Sequence, residues 1–309
     1  MGNTISSSTP IPLLTNTVAT SYNRKGNYVV QSTLGTGNYG IVYKVNHTHS
    51  HKLFAMKVLQ TSTSAQLRKF REEATILASL SHLHIVALED IGGVPDPETK
   101  SWNACILTEL ADHNLLDFYT AYSALGISGL DEAIAQTLAW QMLSALTYLH
   151  DRKLAHGDIK PANILVFHDS EASRLTFKIS DFGLAAHLSL VDQSMPTPVA
   201  RYTAPELLLC DGGAEQVCKA DVWAVGMVCR DLCTRALMPP HIETKGMGSW
   251  AKEAIDWMTR GSVWDRPTAK ECRESVWVRQ GERIPAGLLR VLRKELGLDD
   301  ARASDEMEM

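Results

Sequence analysis

The chain has 309 residues, 45% of them hydrophobic and 21% charged, which excludes wholesale disorder, collagen and coiled coil and leaves room for a sizeable core in one large domain or two modest ones. Thirty Lys and Arg against 35 Asp and Glu give a net charge of -5, which disfavours non-specific binding to nucleic acid or an anionic membrane. No run approaches the roughly 18 consecutive apolar residues of a membrane-spanning helix, and no basic-then-apolar start reads as a secretion signal, so neither a membrane-spanning nor a secreted chain is expected.

Residues 1–27 are rich in Ser, Thr, Asn and Pro without helical or strand periodicity and read as a flexible arm. Its start, Met1-Gly2-Asn3-Thr4-Ile5-Ser6, fits an N-myristoylation acceptor. One such chain would give weak, reversible peripheral membrane contact and otherwise cytoplasmic residence. From Tyr28 the pattern becomes short β-branched and aromatic runs, Tyr28 to Leu34, Ile41 to Asn46 and Leu53 to Leu59, a small antiparallel β unit. Ser64 to Leu80 repeats Leu67, Phe70, Ala74 and Leu77 on one helical face. Glu89 to Leu110 reads as two strands joined by the polar loop GGVPDPETKSWN. Asp131 to Asp151 carries Ile134, Leu138, Met142, Ala145 and Leu149 on one stripe, a long core helix with an acidic first turn. The rest is helix-dominated. Ala220 to Thr234 is apolar nearly all round, as a helix buried on every side would be, and Leu288 to Leu296 is amphipathic before an acidic end. The six cysteines lie far apart, with no CxxC and no histidine at zinc-finger spacing, and read as reduced, mostly buried thiols.

The first chemical signal is Gly35-Thr36-Gly37-Asn38-Tyr39-Gly40-Ile41-Val42. A strand pattern rather than a helix follows the third glycine, so these glycines bend a β-hairpin whose bare tip can lie over a polyphosphate. The ligand this implies is a nucleoside triphosphate. Next, Lys57 lies in an otherwise apolar strand and must snorkel or find an anion. Of Glu72 and Glu73 on the following helix only one can face the sheet, and Glu73, beside Ala74 and four before Leu77, is the better partner for Lys57. The densest stretch is His156-Gly157-Asp158-Ile159-Lys160-Pro161-Ala162-Asn163-Ile164-Leu165, followed by Asp181-Phe182-Gly183. Two carboxylates, an amide and a lysine between apolar runs supply hard oxygen ligands and a cation, the equipment of metal-assisted phosphate chemistry.

With these motifs in this order, the chain resembles the eukaryotic protein kinases over about residues 28–280. The resemblance implies an α+β, protein-kinase-like two-lobed fold: a small N-lobe of antiparallel β-sheet plus one helix at 28–110, a larger, mainly helical C-lobe at 111–280, and a tail at 281–309. It implies ATP and Mg2+ as cofactors and protein substrates phosphorylated on serine or threonine. Leu34, Gly35, Thr36, Gly37 and Gly40 would cover the nucleotide, and Lys57, tethered by Glu73, would hold the α- and β-phosphates. Val42, Ala55 and Leu165 would sandwich adenine. Thr108 would be the gatekeeper, and the hinge from Glu109 to Ala111 would bond the adenine edge. Asp181 and Asn163 would ligate the metal, Asp158 would take the substrate proton, and Lys160 would neutralise charge on the transferred group. Ala204-Pro205-Glu206 looks like the end of an activation segment, with Arg266 as the partner of Glu206. The chain departs from the family in three places: Gly157 stands where an arginine is usual, Val199 where a threonine is usual, and the stretch between Asp221 and Arg266, with Pro239-Pro240, is short. These departures keep a pseudokinase used as a binding module as the alternative.

Overall fold

The computed structural model describes residues 18–20, 27–37, 40–59, 63–95, 102–124, 131–169, 174–187, 201–208, 214–234 and 247–282. The chain divides into two compact units, residues 1–74 with 88–110 and residues 75–87 with 111–309. The amphipathic segment Leu288 to Leu296, the acylation signal at Gly2, Val199 and Pro239-Pro240 lie outside the described residues.

The first unit contains β1 (Val18–Thr20), β2 (Asn27–Gly37), β3 (Gly40–His47), β4 (Leu53–Val58), most of α1 (Ser64–Ala78), β5 (Leu88–Pro95) and β6 (Trp102–Glu109). The strands form one sheet in the order β1-β2-β3-β4-β6-β5 with every neighbour antiparallel. Strand alternation decides which side is core. Phe54, Met56 and Val58 of β4 are buried, whereas Leu53, Ala55 and Lys57 are half-buried. The buried set joins Tyr28, Tyr43, Val45, Val94, Cys105 and Leu107 in one cluster. On α1, Phe70, Ala74 and Leu77 are buried and Leu67 partly so.

This region departs from its sequence pattern in two places. Residues 18–20, within the span that reads as a flexible arm, form a strand on β2 with Val18 opposite Val29 and Thr20 opposite Asn27. Three residues are too few to carry a period, and backbone pairing rather than side-chain pattern makes this edge strand. The loop assigned to GGVPDPETKSWN is narrower than expected, because Gly92 to Pro95 extend β5 and Trp102 and Asn103 begin β6, pairing Pro95 with Trp102.

The second unit contains β7 (His113–Asn114), α2 (Leu115–Ala124), α3 (Asp131–Asp151), β8 (Leu154–Ala155), β9 (Ile164–Asp169), β10 (Arg174–Ile179), β11 (Ala186–His187), α4 (Pro205–Leu208), α5 (Ala214–Cys233), α6 (Ser249–Met258), α7 (Ala269–Glu274) and α8 (Val276–Gln280). Helix α3 keeps the limits of its apolar stripe, and all five stripe residues are buried. Helix α5 starts six residues before Ala220, because its first turns are polar, with Lys219 paired to Glu215 on the same helix face, and carry no apolar period. Two small sheets, β10-β9-β7 and β11-β8, are additions to the helix-dominated expectation.

Residues 75–87, expected in the N-lobe, cluster with this second unit. The reason is backbone hydrogen bonding. Val86 N donates to Ile179 O at 2.9 Å, Ile179 N to His84 O at 3.0 Å, and Ser81 N to the Tyr148 hydroxyl at 3.0 Å. Four of the five described cysteines are buried and all are free thiols. Burial pushes the Cys105 thiol up to about 11 and Cys218 up to about 12, so these thiols stay protonated and unreactive. No helix among the described residues is long and apolar enough to cross a membrane.

Around α5 the side chain of Arg266 is fully buried. Its five N–H groups are all used: Nη1 and Nη2 donate to the two Glu206 oxygens, Nη1 also to Lys219 O at 3.0 Å, and Nε and Nη2 to Arg260 O at 3.1 and 3.0 Å. The guanidinium carbon lies 4.9 Å from the Trp223 ring centre. Removing one partner of such a pair strands the other, so Arg266→Ala is expected to destabilise the chain by about 3–5 kcal/mol. Denaturant unfolding measures this directly, and wild-type stability in the variant would show that the pair is dispensable.

Candidate active site

In the first unit the register of the sheet assembles one face. Gly35 lies opposite Val42, Val42 opposite Lys57, and Ala55 opposite Thr108. Directly paired residues share a side of the sheet, and Ala55 and Lys57 are two apart on β4. Val42, Ala55, Lys57 and Thr108 therefore share the face opposite Phe54, Met56 and Val58. Met56 and Val58, the immediate neighbours of Lys57, point to the core side. The ammonium is met instead by Glu73 of α1, whose two oxygens accept at 2.7 and 2.9 Å. Glu72 stays exposed, with Arg68 3.9 Å away along the helix. Leu34, Gly35, Thr36 and Gly37 are exposed at the end of β2. Gly40, the third glycine of the hairpin, is buried at φ 145°, and a Cβ there would sit 2.1 Å from Val58 O. Glu109 ends β6 opposite Phe54.

In the second unit the loop between β8 and β9 holds Asp158, Lys160 and Asn163. Lys160 Nζ donates to Asp158 Oδ2 at 2.7 Å. Asn163 Nδ2 donates to the same oxygen at 2.8 Å and to Asp158 O at 2.9 Å. Pro161 starts the 3-10 turn Pro161–Asn163, so the loop closes on itself directly after Lys160. The loop is held from beneath by Asp221 of α5, which is buried. Its Oδ2 accepts His156 N at 2.9 Å and its Oδ1 accepts Gly157 N at 2.8 Å, while His150 Nε2 lies 3.0 Å from Oδ2. Gly157 has φ 77°, in the left-handed region.

The segment carrying Asp181 is tied to the same loop. Ser180 N and Ser180 Oγ both donate to Asn163 O, at 2.9 and 3.0 Å. His156 Nε2 lies 3.1 Å from Ser180 O, and the His156 ring meets the buried Phe182 ring edge-on at 4.9 Å. Asp181 itself is exposed with φ 63°, a conformation that costs a non-glycine residue about 1–2 kcal/mol. Both amide hydrogen bonds of Asn163 go to Asp158, which leaves its carbonyl oxygen as the remaining group, and Asp181 adds a carboxylate directly after Ser180, which bonds Asn163 O. These are hard oxygen donors that suit a small divalent cation. Leu165 lies in β9 opposite Asn114 and Lys178, half-buried, and Ala111 is half-buried just before β7. Asp221, His150 and Ser180 were not among the candidates drawn from sequence. The one available signal was a carboxylate at the start of the apolar stretch of α5.

A family model described as the protein kinase domain matches residues 28–278, and the chain belongs to the protein kinase family. The ovarian-specific serine/threonine-protein kinase Lok of Drosophila melanogaster is 28% identical over 90% of this chain and 61% of its own length. Serine/threonine-protein kinase 10 of Danio rerio is 32% identical over 69% of this chain and 21% of its own length. Mitogen-activated protein kinase 3 of Arabidopsis thaliana is 32% identical over 67% of this chain and 53% of its own. The chain thus spans less than two thirds of the length of each of these relatives. Membership implies ATP and a divalent metal in general terms.

The glycine hairpin divides into a structural and a permissive part. Gly40→Ala is expected to cost about 2 kcal/mol or more, through positive φ and the overlap with Val58 O. A Cβ on Gly37 meets nothing within 4 Å, so Gly37→Ala should stay within about 0.5 kcal/mol of wild type. Parallel thermal unfolding of the two variants checks this, and equal midpoints would contradict it.

Proposed function

We propose that this chain is a protein kinase that transfers the γ-phosphoryl group of Mg-ATP to serine or threonine hydroxyls of protein substrates. The observation that carries the proposal is Asp158, whose Oδ2 is held by both Lys160 and Asn163 on a loop pinned by Asp221. With Oδ2 so occupied, Oδ1 is the oxygen aimed at the substrate hydroxyl. Asp158 orients that hydroxyl and takes its proton as the oxygen attacks the γ-phosphorus and the bond to ADP breaks. Lys160 balances negative charge on the group in transfer. Lys57, kept in place by Glu73, meets the α- and β-phosphates, and Gly35, Gly37 and Gly40 cover them. Leu34, Val42, Ala55 and Leu165 supply apolar contact to adenine, and the Glu109 and Ala111 backbone its polar edge, with Thr108 behind. Asn163 and Asp181 would hold Mg2+, which when bound would neutralise phosphate charge.

Lysine at position 160 supports serine or threonine as the acceptor. Gly157 supports a second point. A cation at this position would bind a phosphorylated activation segment, and glycine offers none, so turnover should not depend on that phosphorylation.

The test is transfer from Mg-ATP to the protein itself and to a mixed peptide library, by wild type, phosphatase-treated wild type, Asp158→Asn and Asp181→Ala. Both wild-type samples should label serine or threonine, and the variants should lose about 100-fold or more. Wild type that binds ATP and transfers nothing would replace this reading with the scaffold one. Loss of turnover on phosphatase treatment alone would overturn the role given to Gly157.

A further inference from the structure

The segment after α1 carries two histidines, His82 and His84, that the phosphoryl-transfer reading does not use. Its backbone holds the strand that leads into Asp181. Ile179 N donates to His84 O at 3.0 Å and Val86 N donates to Ile179 O at 2.9 Å, and Asp181 follows Ile179 by two residues. Both backbone groups of His84 are therefore committed, the carbonyl to Ile179 and the N–H to Nδ1 of the His82 ring at 3.1 Å.

A backbone N–H can only donate, so His82 Nδ1 accepts and the ring proton sits on Nε2, which faces Ser144 Oγ of α3 at 3.4 Å. That pattern belongs to the neutral imidazole alone. A second proton on Nδ1 would set two N–H groups head to head, and the ring would have to turn away from the N–H of His84, a buried residue. The surroundings press the same way. The Tyr148 ring of α3 lies 5.1 Å from the His82 ring, and its hydroxyl accepts Ser81 N. The His84 ring lies 5.6 Å away, with its Nδ1 3.2 Å from Phe177 O and its edge against Trp140. The charged groups that act on His82 are two cations, Arg273 of α7, placed over the Trp140 ring, and Arg152, stacked 3.6 Å over the Tyr148 ring. Burial first, then Arg273 and Arg152, hold the His82 imidazole below the usual histidine range.

We propose that His82 is a pH-sensitive latch on the segment leading to Asp181: neutral, it accepts the His84 N–H and fixes that peptide for Ile179, and protonated, it lets go and the support of Asp181 loosens. The consequence for turnover rests on the kinase reading of Asp181, whereas the latch itself does not. The folded chain takes up this proton less readily than the unfolded chain does. The stability that the latch contributes is therefore full above the ordinary histidine value of 6.5 and is lost as pH falls below it.

The experiment compares full-length wild type, His82→Asn and His82→Leu at about pH 7.5 and about pH 5.5, either side of the ordinary histidine value. Asparagine puts Oδ1 in the place of Nδ1 and accepts at both pH values, whereas leucine accepts at neither. On acidification the wild-type unfolding midpoint should drop by about 2–4 °C more than that of His82→Asn, the size that one hydrogen bond carries in a chain of this length. Hydrogen-exchange protection of the His84 and Ile179 amides, corrected for the intrinsic effect of pH, should fall in wild type but not in His82→Asn, and should already be low in His82→Leu at the higher pH. Wild-type kcat should then fall more steeply than that of His82→Asn. Unfolding and exchange involve no phosphoryl transfer, so they decide the latch even if the kinase reading fails. The same pH dependence of both in wild type and folded His82→Asn would overturn the proposal, and parallel kcat profiles with diverging protection would overturn the link to Asp181.

Discussion

The loop that carries Asp158 depends on one buried carboxylate. Asp221 accepts the backbone N–H groups of His156 and Gly157 on separate oxygens, so it fixes two consecutive peptide planes just before Asp158. A carboxylate without water is costly unless its oxygens are satisfied, and a peptide N–H buried without an acceptor is equally costly. Each settles the other here. From that anchor the hydrogen bonds run in a closed course. His156 Nε2 reaches Ser180 O, Ser180 returns to Asn163 O, and Asn163 Nδ2 reaches Asp158. The position of Asp158 Oδ2 is therefore set by both ends of its own loop and by the segment that carries Asp181.

The same helix supports the neighbouring segment by the same device. Asp231, ten residues along α5 and fully buried, accepts from Arg201 and from the Tyr202 hydroxyl, the latter at 3.0 Å. Burial first, then the Asp231 charge, pushes the Tyr202 hydroxyl well above its ordinary value, so it remains a donor. Glu206, four residues further on, is taken by Arg266. Helix α5 thus carries two inward carboxylates, one for the loop that holds Asp158 and one for residues 201–202. An apolar helix of the same shape would pack as well and hold neither.

Much of this was legible in the sequence wherever a local rule was enough. The stripe from Ile134 to Leu149 defined α3 because a helix with one buried face has a period. Glu73 could be preferred to Glu72 because adjacent helical positions diverge by about 100°. The order of the glycine hairpin, Lys57, the Asp158 to Asn163 stretch and Asp181 identified the family because each carries distinct chemistry. Tertiary hydrogen bonds were not legible. Val18–Thr20 is a strand because β2 offers it an edge, and residues 75–87 belong with the second unit because β10 and α3 bind their backbone. Asp221 read as part of an apolar helix, and its partners, two backbone amides more than sixty residues earlier, leave no trace in side-chain pattern.

The most direct measurement of this dependence is the turnover of Asp221→Asn on a peptide that wild type phosphorylates, with ATP affinity measured beside it. Asparagine keeps the shape and one acceptor oxygen but turns an NH2 toward a backbone N–H. The loop should shift, and kcat should fall about 100-fold, the size of a misplacement of roughly 1 Å, with ATP affinity unchanged because the Lys57 to Glu73 pair is untouched. A folded Asp221→Asn protein with wild-type kcat would contradict the account.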